Sequence, residues 1–164
     1  MQADRERETS FEACSSGDIS RLFADYMSHM LRYVEVDDRE RWRSAAFRYL
    51  EQYDAGDDRH IYAMTNSNGP VGFAMVNAEL RFNRQGVAMA EFYVDPEYRK
   101  SVHGRELAEN VFRRFPGDWE VSVLDGNTDA LSFWRRVISR YAGNDPSENR
   151  VESYDGSILS FSSG

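Results

Sequence analysis

Two features of the chain carry residue types able to do chemistry. The first is the stretch Val94-Asp95-Pro96-Glu97-Tyr98-Arg99-Lys100-Ser101-Val102-His103-Gly104-Arg105, which follows the apolar run Val87–Val94 and leads into Glu106-Leu107-Ala108. It reads as a strand, a loop with adjacent cations and a glycine that opens a helix. The first N–H groups of a helix have no intrahelical partner and sit at the positive end of its dipole, which suits a phosphate. Arg99, Lys100 and Arg105 add positive charge at the same point. A plain strand-to-helix turn with solvated basic residues is the competing reading. The second feature is Glu91, a charged residue among apolar ones in mid-strand. Burying an unpaired carboxylate is costly, so Glu91 either has a chemical role or is exposed or ion-paired. Strict alternation puts Val87, Met89, Glu91 and Tyr93 on one face, and Ala88, Ala90, Phe92 and Val94 on the other.

Several other chemistries fail on spacing. A Gly-x4-Gly-Lys-Ser phosphate loop would have to use Lys100-Ser101, yet Val94 and Arg99 occupy its glycine positions. No Gly-x-Gly-x-x-Gly, His-Glu-x-x-His or Gly-x-Ser-x-Gly run is present. His29, His60 and His103 show no ligand-like spacing with one another or with Cys14, so no metal is expected.

The elements that must position these residues are legible from periodicity. Thr9 to Cys14 reads as a short strand after a polar, flexible start over residues 1–8. Ser15-Ser16-Gly17-Asp18 opens a helix whose apolar residues, from Ile19 through Leu22, Phe23, Tyr26, Met27, Met30 and Leu31 to Val34, fall on one face. Asp37 and Glu40 cap a second helix that ends at Asp54-Ala55-Gly56. Three strands follow, Ile61–Met64, Val71–Leu80 and Val87–Val94, as an antiparallel meander. A helix over Gly104–Phe115 then leads to a strand over Trp119–Leu124. A helix capped by Asn127 runs to about Ile138, and Ile158–Phe161 is a closing strand. Whether a strand lies near Val151 stays open. The order is β-α-α-β-β-β-α-β-α-(β)-β: an α/β fold with a mixed, mostly antiparallel twisted sheet of six to seven strands and about four helices. The crossover helix makes the Val94 and Trp119 strands parallel.

Composition bounds the rest. At 164 residues, one domain over 9–164 is the expectation. With 41% hydrophobic and 13% aromatic residues the chain is neither disordered nor fibrous. A formal net charge of −8 argues against nucleic acid as a partner. All 20 basic residues but Lys100 are arginine, which codon bias in a GC-rich genome explains. No run approaches the ~20 apolar residues of a membrane span. With no signal-like apolar start and a single cysteine, Cys14, the expected location is cytoplasmic.

On these residues the sequence resembles the GCN5-related N-acetyltransferase superfamily, in a bacterial branch of predicted acetyltransferases. Val94-Asp95-Pro96-Glu97-Tyr98-Arg99 matches the run before the superfamily's cofactor loop, and Arg99 and Gly104 fit the loop's ends. Val102 departs from it, standing where the first glycine belongs. A β-branched residue forced to positive φ there would cost about 1–2 kcal/mol, so either the loop takes another path or affinity falls about tenfold. Downstream, Asn127-Thr128-Asp129-Ala130-Leu131-Ser132-Phe133-Trp134 matches the superfamily's Asn-x-x-Ala-x-x-Phe-Tyr, with Trp134 in place of the tyrosine.

The resemblance implies acetyl-CoA as co-substrate, no metal, and direct transfer of the acetyl group to an amine of a small molecule or peptide. It places the cofactor against Phe92, Tyr93, Val94, Arg99, Lys100, Ser101, Val102, His103, Gly104, Arg105, Asn127, Ala130, Phe133 and Trp134. An alkyl ammonium is nucleophilic only once deprotonated, at a cost of about 4.6 kcal/mol at pH 7. Glu91 is the candidate base. With the usual tyrosine acid missing, Tyr93 and Tyr141 are the candidates to protonate the leaving thiolate. Tyr26, Met30, Tyr33 and Trp42 are candidate lining of the acceptor site, with core packing as the competing role. A homodimer is left open. The rival reading is a non-catalytic CoA-binding or regulatory module of the same fold, motivated by Val102 and Trp134.

Overall fold

The computed structural model describes residues 8–99 and 102–164. The flexible start expected over 1–8 lies, except for Glu8, outside the described residues. Strands β1 (Ser10–Ala13), β2 (His60–Asn66), β3 (Gly69–Asn77), β4 (Val87–Val94), β5 (Gly117–Leu124), β6 (Ser147–Val151) and β7 (Tyr154–Ser163) form one sheet in the order β1-β2-β3-β4-β5-β7-β6. Only β4 and β5 pair in parallel; every other pair is antiparallel. Four helices cover the sheet: α1 (Ser16–Met30), α2 (Arg39–Glu51), α3 (His103–Arg114) and α4 (Thr128–Ala142). The expected order holds, and the strand left open near Val151 is real.

Differences at element ends have local causes. The apolar stripe of α1 continues to Val34, but hydrogen bonds Arg32 N–H to His29 O and Tyr33 N–H to Met30 O turn the chain out of the helix after Met30. The cap of α2 is Asp38, not Asp37: its carboxylate accepts from Arg41 N–H at 3.0 Å. Helix α4 runs past Ile138 until Gly143, whose φ of +80° closes it.

Two apolar layers flank the sheet. Helices α1 and α2 bury Ile19, Phe23, Tyr26 and Leu50 against Ile61, Phe73, Met75 and Tyr93. Helices α3 and α4 bury Leu107, Phe112, Trp134 and Ile138 against Ala74, Val76, Met89, Trp119 and Leu159. At roughly 1.5–3 kcal/mol for each fully buried large side chain, these layers dominate the favourable side of folding. Among the described residues no helix is long and apolar enough to cross a membrane.

Candidate active site

The site is built around an irregularity in β4. Met75 faces Glu91 across the β3–β4 ladder, but Val76 faces Met89, so Ala90 is an extra residue on β4. This bulge breaks the strict alternation expected from sequence. Glu91 and Tyr93 face α1 and α2, whereas Met89 and Val87 join Phe92 and Val94 on the α3–α4 side. The correction matters because it removes the apolar neighbours that alternation assigned to Glu91 and gives it tyrosines instead.

Beyond the bulge, β4 and β5 separate. Their parallel ladder holds Val87, Ala88 and Met89 against Trp119, Glu120 and Val121 and goes no further. The facing edges from Ala90 to Val94 and from Ser122 to Leu124 line a single cleft of about 1090 Å³. One half is closed by Arg99, Gly104, Asn127, Ala130, Phe133 and Trp134, the other by Tyr26, Met30, Tyr33, Trp42, Tyr49, Arg81 and Tyr154. Glu91 and Tyr93 lie on the strand shared by both halves.

Of the residues expected at the cofactor end, Phe92, Tyr93, Val94, Arg99, Gly104, Asn127, Ala130, Phe133 and Trp134 line the cleft, whereas Val102, His103 and Arg105 are not among its lining residues. Val102 precedes α3 with φ −75° and ψ −3°, an ordinary helical conformation, and its side chain is 47% exposed. Val102 therefore has none of the positive φ that would strain a β-branched residue. Gly104 is buried, and a Cβ there would stand 3.2 Å from the Phe133 ring, so the helix start approaches α4 closely. Arg99 turns back: Nε donates to Val94 O at 2.8 Å and the guanidinium stacks 4.9 Å from the Tyr93 ring centre. His103 packs edge-on to Tyr98 at 5.6 Å. Arg105, in the first turn of α3, has a buried Nε with no hydrogen-bond partner. Lys100 and Ser101 lie outside the described residues. Asn127 caps α4, accepting from Ala130 N–H at 3.3 Å. Phe92 sits between Phe133 and Trp134, at 5.7 and 4.8 Å, which gives this wall an aromatic surface.

In the second half, Tyr26 does both jobs that the sequence left open. Its ring packs on Phe73 and Tyr93, and its hydroxyl donates to Glu91. Met30, Tyr33 and Trp42 line the cleft from α1, the turn after it and α2. Burial pushes the Glu91 carboxyl up to about 7, against the lowering effect of Tyr26, Arg81 and Tyr49. Burial likewise raises the phenols of Tyr26 and Tyr49, and that of Tyr154 to about 12, with the negative charge of Glu91 adding to each. Tyr93 is also raised by burial, so it keeps its proton across the neutral range.

Tyr141 does not join this group. Its hydroxyl bonds Ser163 Oγ at 2.9 Å at the end of β7, and its ring packs on Phe112 at 5.3 Å. It is a packing residue and is not among those that line the cleft. Conversely, Tyr49, Arg81 and Tyr154 escaped sequence reasoning. Tyr49 was hidden in the apolar stripe of α2, and Arg81 and Tyr154 fall beside turns, where nothing in the sequence points toward Glu91.

The profile of the acetyltransferase (GNAT) family matches residues 23–138. The chain belongs to that family. Solved structures of low identity share its fold. An acetyltransferase from Thermus thermophilus is 12% identical with a TM-score of 0.70, over 96% of this chain and 99% of that one. The PaiA N-acetyltransferase of Thermoplasma acidophilum, in complex with coenzyme A, is 14% identical with a TM-score of 0.70, over 94% and 99%. Arabidopsis thaliana NAA60, in complex with acetyl-CoA, is 14% identical with a TM-score of 0.59, over 94% and 97%. A search of curated proteins finds no significant match.

Proposed function

We propose that the protein transfers an acetyl group from acetyl-CoA to an amine of a small molecule or peptide, by direct attack in a ternary complex. The observation that carries this reading is the position of Glu91, at the junction of two halves of one open cleft, with a carboxyl poised near 7.

The residues present fit the co-substrate. The separated edges of β4 and β5 leave backbone N–H and C=O groups facing the cleft, able to bond the amides of a pantetheine arm. Gly104, in the first turn of α3, lines the cleft, so a diphosphate bound there would lie at the positive end of that helix's dipole beside Arg99. Relatives of the same fold hold coenzyme A or acetyl-CoA. Bound there, acetyl-CoA supplies an acyl carbon carrying a leaving thiolate.

The chain's own residues manage protons and position. Glu91, ionised above neutrality, takes one proton from the ammonium and so frees the lone pair that attacks the acyl carbon; the second nitrogen proton is lost as the tetrahedral adduct collapses and the C–S bond breaks, which balances the proton delivered to sulfur. Tyr26, by donating to Glu91, holds the carboxylate oriented. Tyr93, protonated and on the same strand, is the group left to supply a proton to sulfur. Trp134 has no acidic proton to offer and forms an apolar wall with Phe92. The location we infer is cytoplasmic.

Calorimetric titration with acetyl-CoA, followed by thiol release over an amine panel, tests the reading. Absence of heat and of any thermal shift at millimolar ligand overturns it. Binding without transfer to any amine would favour the non-catalytic module. One of the two grounds for that rival is gone, because Val102 carries no strained backbone. Accordingly Val102→Gly should leave the acetyl-CoA Kd within about threefold; a tenfold gain in affinity would show that the valine does weaken the loop.

A further inference from the structure

The acceptor half of the cleft contains a cation as well as the base. Arg81 lines it, and its guanidinium lies 4.2 Å from the centre of the Tyr154 ring. Among the described residues it forms no ion pair, although its charge reaches Glu91 and holds that carboxyl down. Glu79 is engaged by Arg59 at 2.9 Å, Asp125 by Arg150, and Glu91 by the Tyr26 hydroxyl. Glu120, whose carboxylate lies against the Arg81 backbone, is taken up by backbone N–H groups of residues 81, 82 and 83. Those bonds fix the Arg81 backbone while leaving its side chain free to face the cleft.

A positive group and a proton-accepting carboxylate thus share one aromatic pocket. The planar guanidinium fork is matched to a carboxylate and is already oriented by stacking on Tyr154. A plain monocationic amine would meet Arg81 as a like charge. A zwitterion would satisfy both groups, its ammonium at Glu91 and its carboxylate at Arg81, with an apolar body against Tyr33 and Trp42.

We propose that the acceptor is an amino acid or similar amino-carboxylate, and that Arg81 is the residue that selects it by binding the carboxylate. This rests on the acetyl-transfer reading for the meaning of Glu91.

Matched pairs differing only in the carboxylate test it: phenylalanine and 2-phenylethylamine, tyrosine and tyramine, leucine and 3-methylbutylamine. Acetyl-CoA-dependent thiol release should favour the amino acid of at least one pair by tenfold or more in kcat/KM. Arg81→Gln should erase that preference, lowering the amino acid's kcat/KM roughly 10- to 100-fold through KM. The same variant should affect the decarboxylated amine at least tenfold less than the amino acid, the part common to both reflecting the loss of the Arg81 charge beside Glu91, and Arg81→Lys should restore part of the preference. Amines acetylated as well as or better than every amino acid, or an Arg81→Gln loss equal for both partners of a pair, overturn the inference alone. Calorimetry of the amino acids with the CoA-bound protein separates the two readings. Arg81-dependent binding without thiol release sinks acetyl transfer and leaves the carboxylate site standing. Absence of both binding and acetylation for every amino acid tried overturns the Arg81 assignment.

Discussion

Glu91→Gln should lower turnover by roughly 100- to 10,000-fold at pH 7.5 while leaving the acetyl-CoA Kd within about threefold, because the amide cannot take a proton but has the same shape. The pH profile should change with it. In the parent protein the rate rises through about pH 7 as Glu91 ionises, and in the variant this limb is missing. Stability should move the opposite way. The folded carboxyl sits near 7, against an ordinary value of 4.5, chiefly because burial disfavours its charge. Between those values the folded protein binds more protons than the unfolded chain, so stability falls as pH rises through that window. Over the full shift the loss is about 3 kcal/mol. The variant has no such group, so its melting temperature should gain on the parent's by roughly 5–10 °C between pH 5 and pH 8. A difference that stays flat over that range would show Glu91 titrating as an exposed side chain, and an unchanged rate would reject it as the base.

The opposing directions follow from one cause. A base useful near neutrality must be pushed away from its solution pKa, and the same desolvation that does so costs folding free energy. The bulge at Ala90 is how the backbone arranges this. Without it, Glu91 would share a face with Met89 and Val87; with it, the carboxylate meets Tyr26, whose hydroxyl compensates part of the burial.

Much of the architecture was legible because it depends on local pattern. The bounds of β4 come directly from the run Val87–Val94, and the start of α4 from Asn127 as a capping residue. The parallel pairing of β4 and β5 follows from the helix between them. What the sequence hides is nonlocal. A bulge adds a residue to one strand only and changes no composition, so Val87–Val94 looks regular. Val102 looked costly because the expected loop geometry was carried over to it, yet its backbone lies in the ordinary helical region, where a β-branched residue is not strained. In sequence Tyr141 was a candidate for the site and Tyr154 was not. Only the sheet decides that one packs against Ser163 while the other closes the cleft beside Arg81.

Glu120 is the least conspicuous of the important residues, and its removal should have the largest effect on stability. It is 1% exposed on β5 between Trp119 and Val121, although alternation places it with Asp118 and Ser122 on what reads as an ordinary polar face. Its two oxygens accept from Phe82 and Asn83 N–H, each at 3.1 Å, and from Arg81 N–H. A side-chain amide from Asn83 reaches Trp119 O at 3.2 Å and ties the same loop down again. Glu120→Ala leaves three backbone donors facing a void, which should cost about 3–5 kcal/mol. The melting temperature should fall by roughly 6–15 °C. Glu120→Gln should cost less, about 2–3 kcal/mol, because one carbonyl oxygen replaces two acceptors and the amide N–H2 opposes a donor. The functional signature separates loop anchoring from general destabilisation. At a temperature where the Gln variant stays folded, the acceptor KM should rise as Arg81 loses its fixed backbone, while the acetyl-CoA Kd stays within about threefold. A Glu120→Ala protein melting within 2–3 °C of the parent would mean that water satisfies the loop amides and the carboxylate is dispensable. If the Gln variant weakens acetyl-CoA and acceptor equally, the loop anchors the whole cleft rather than Arg81.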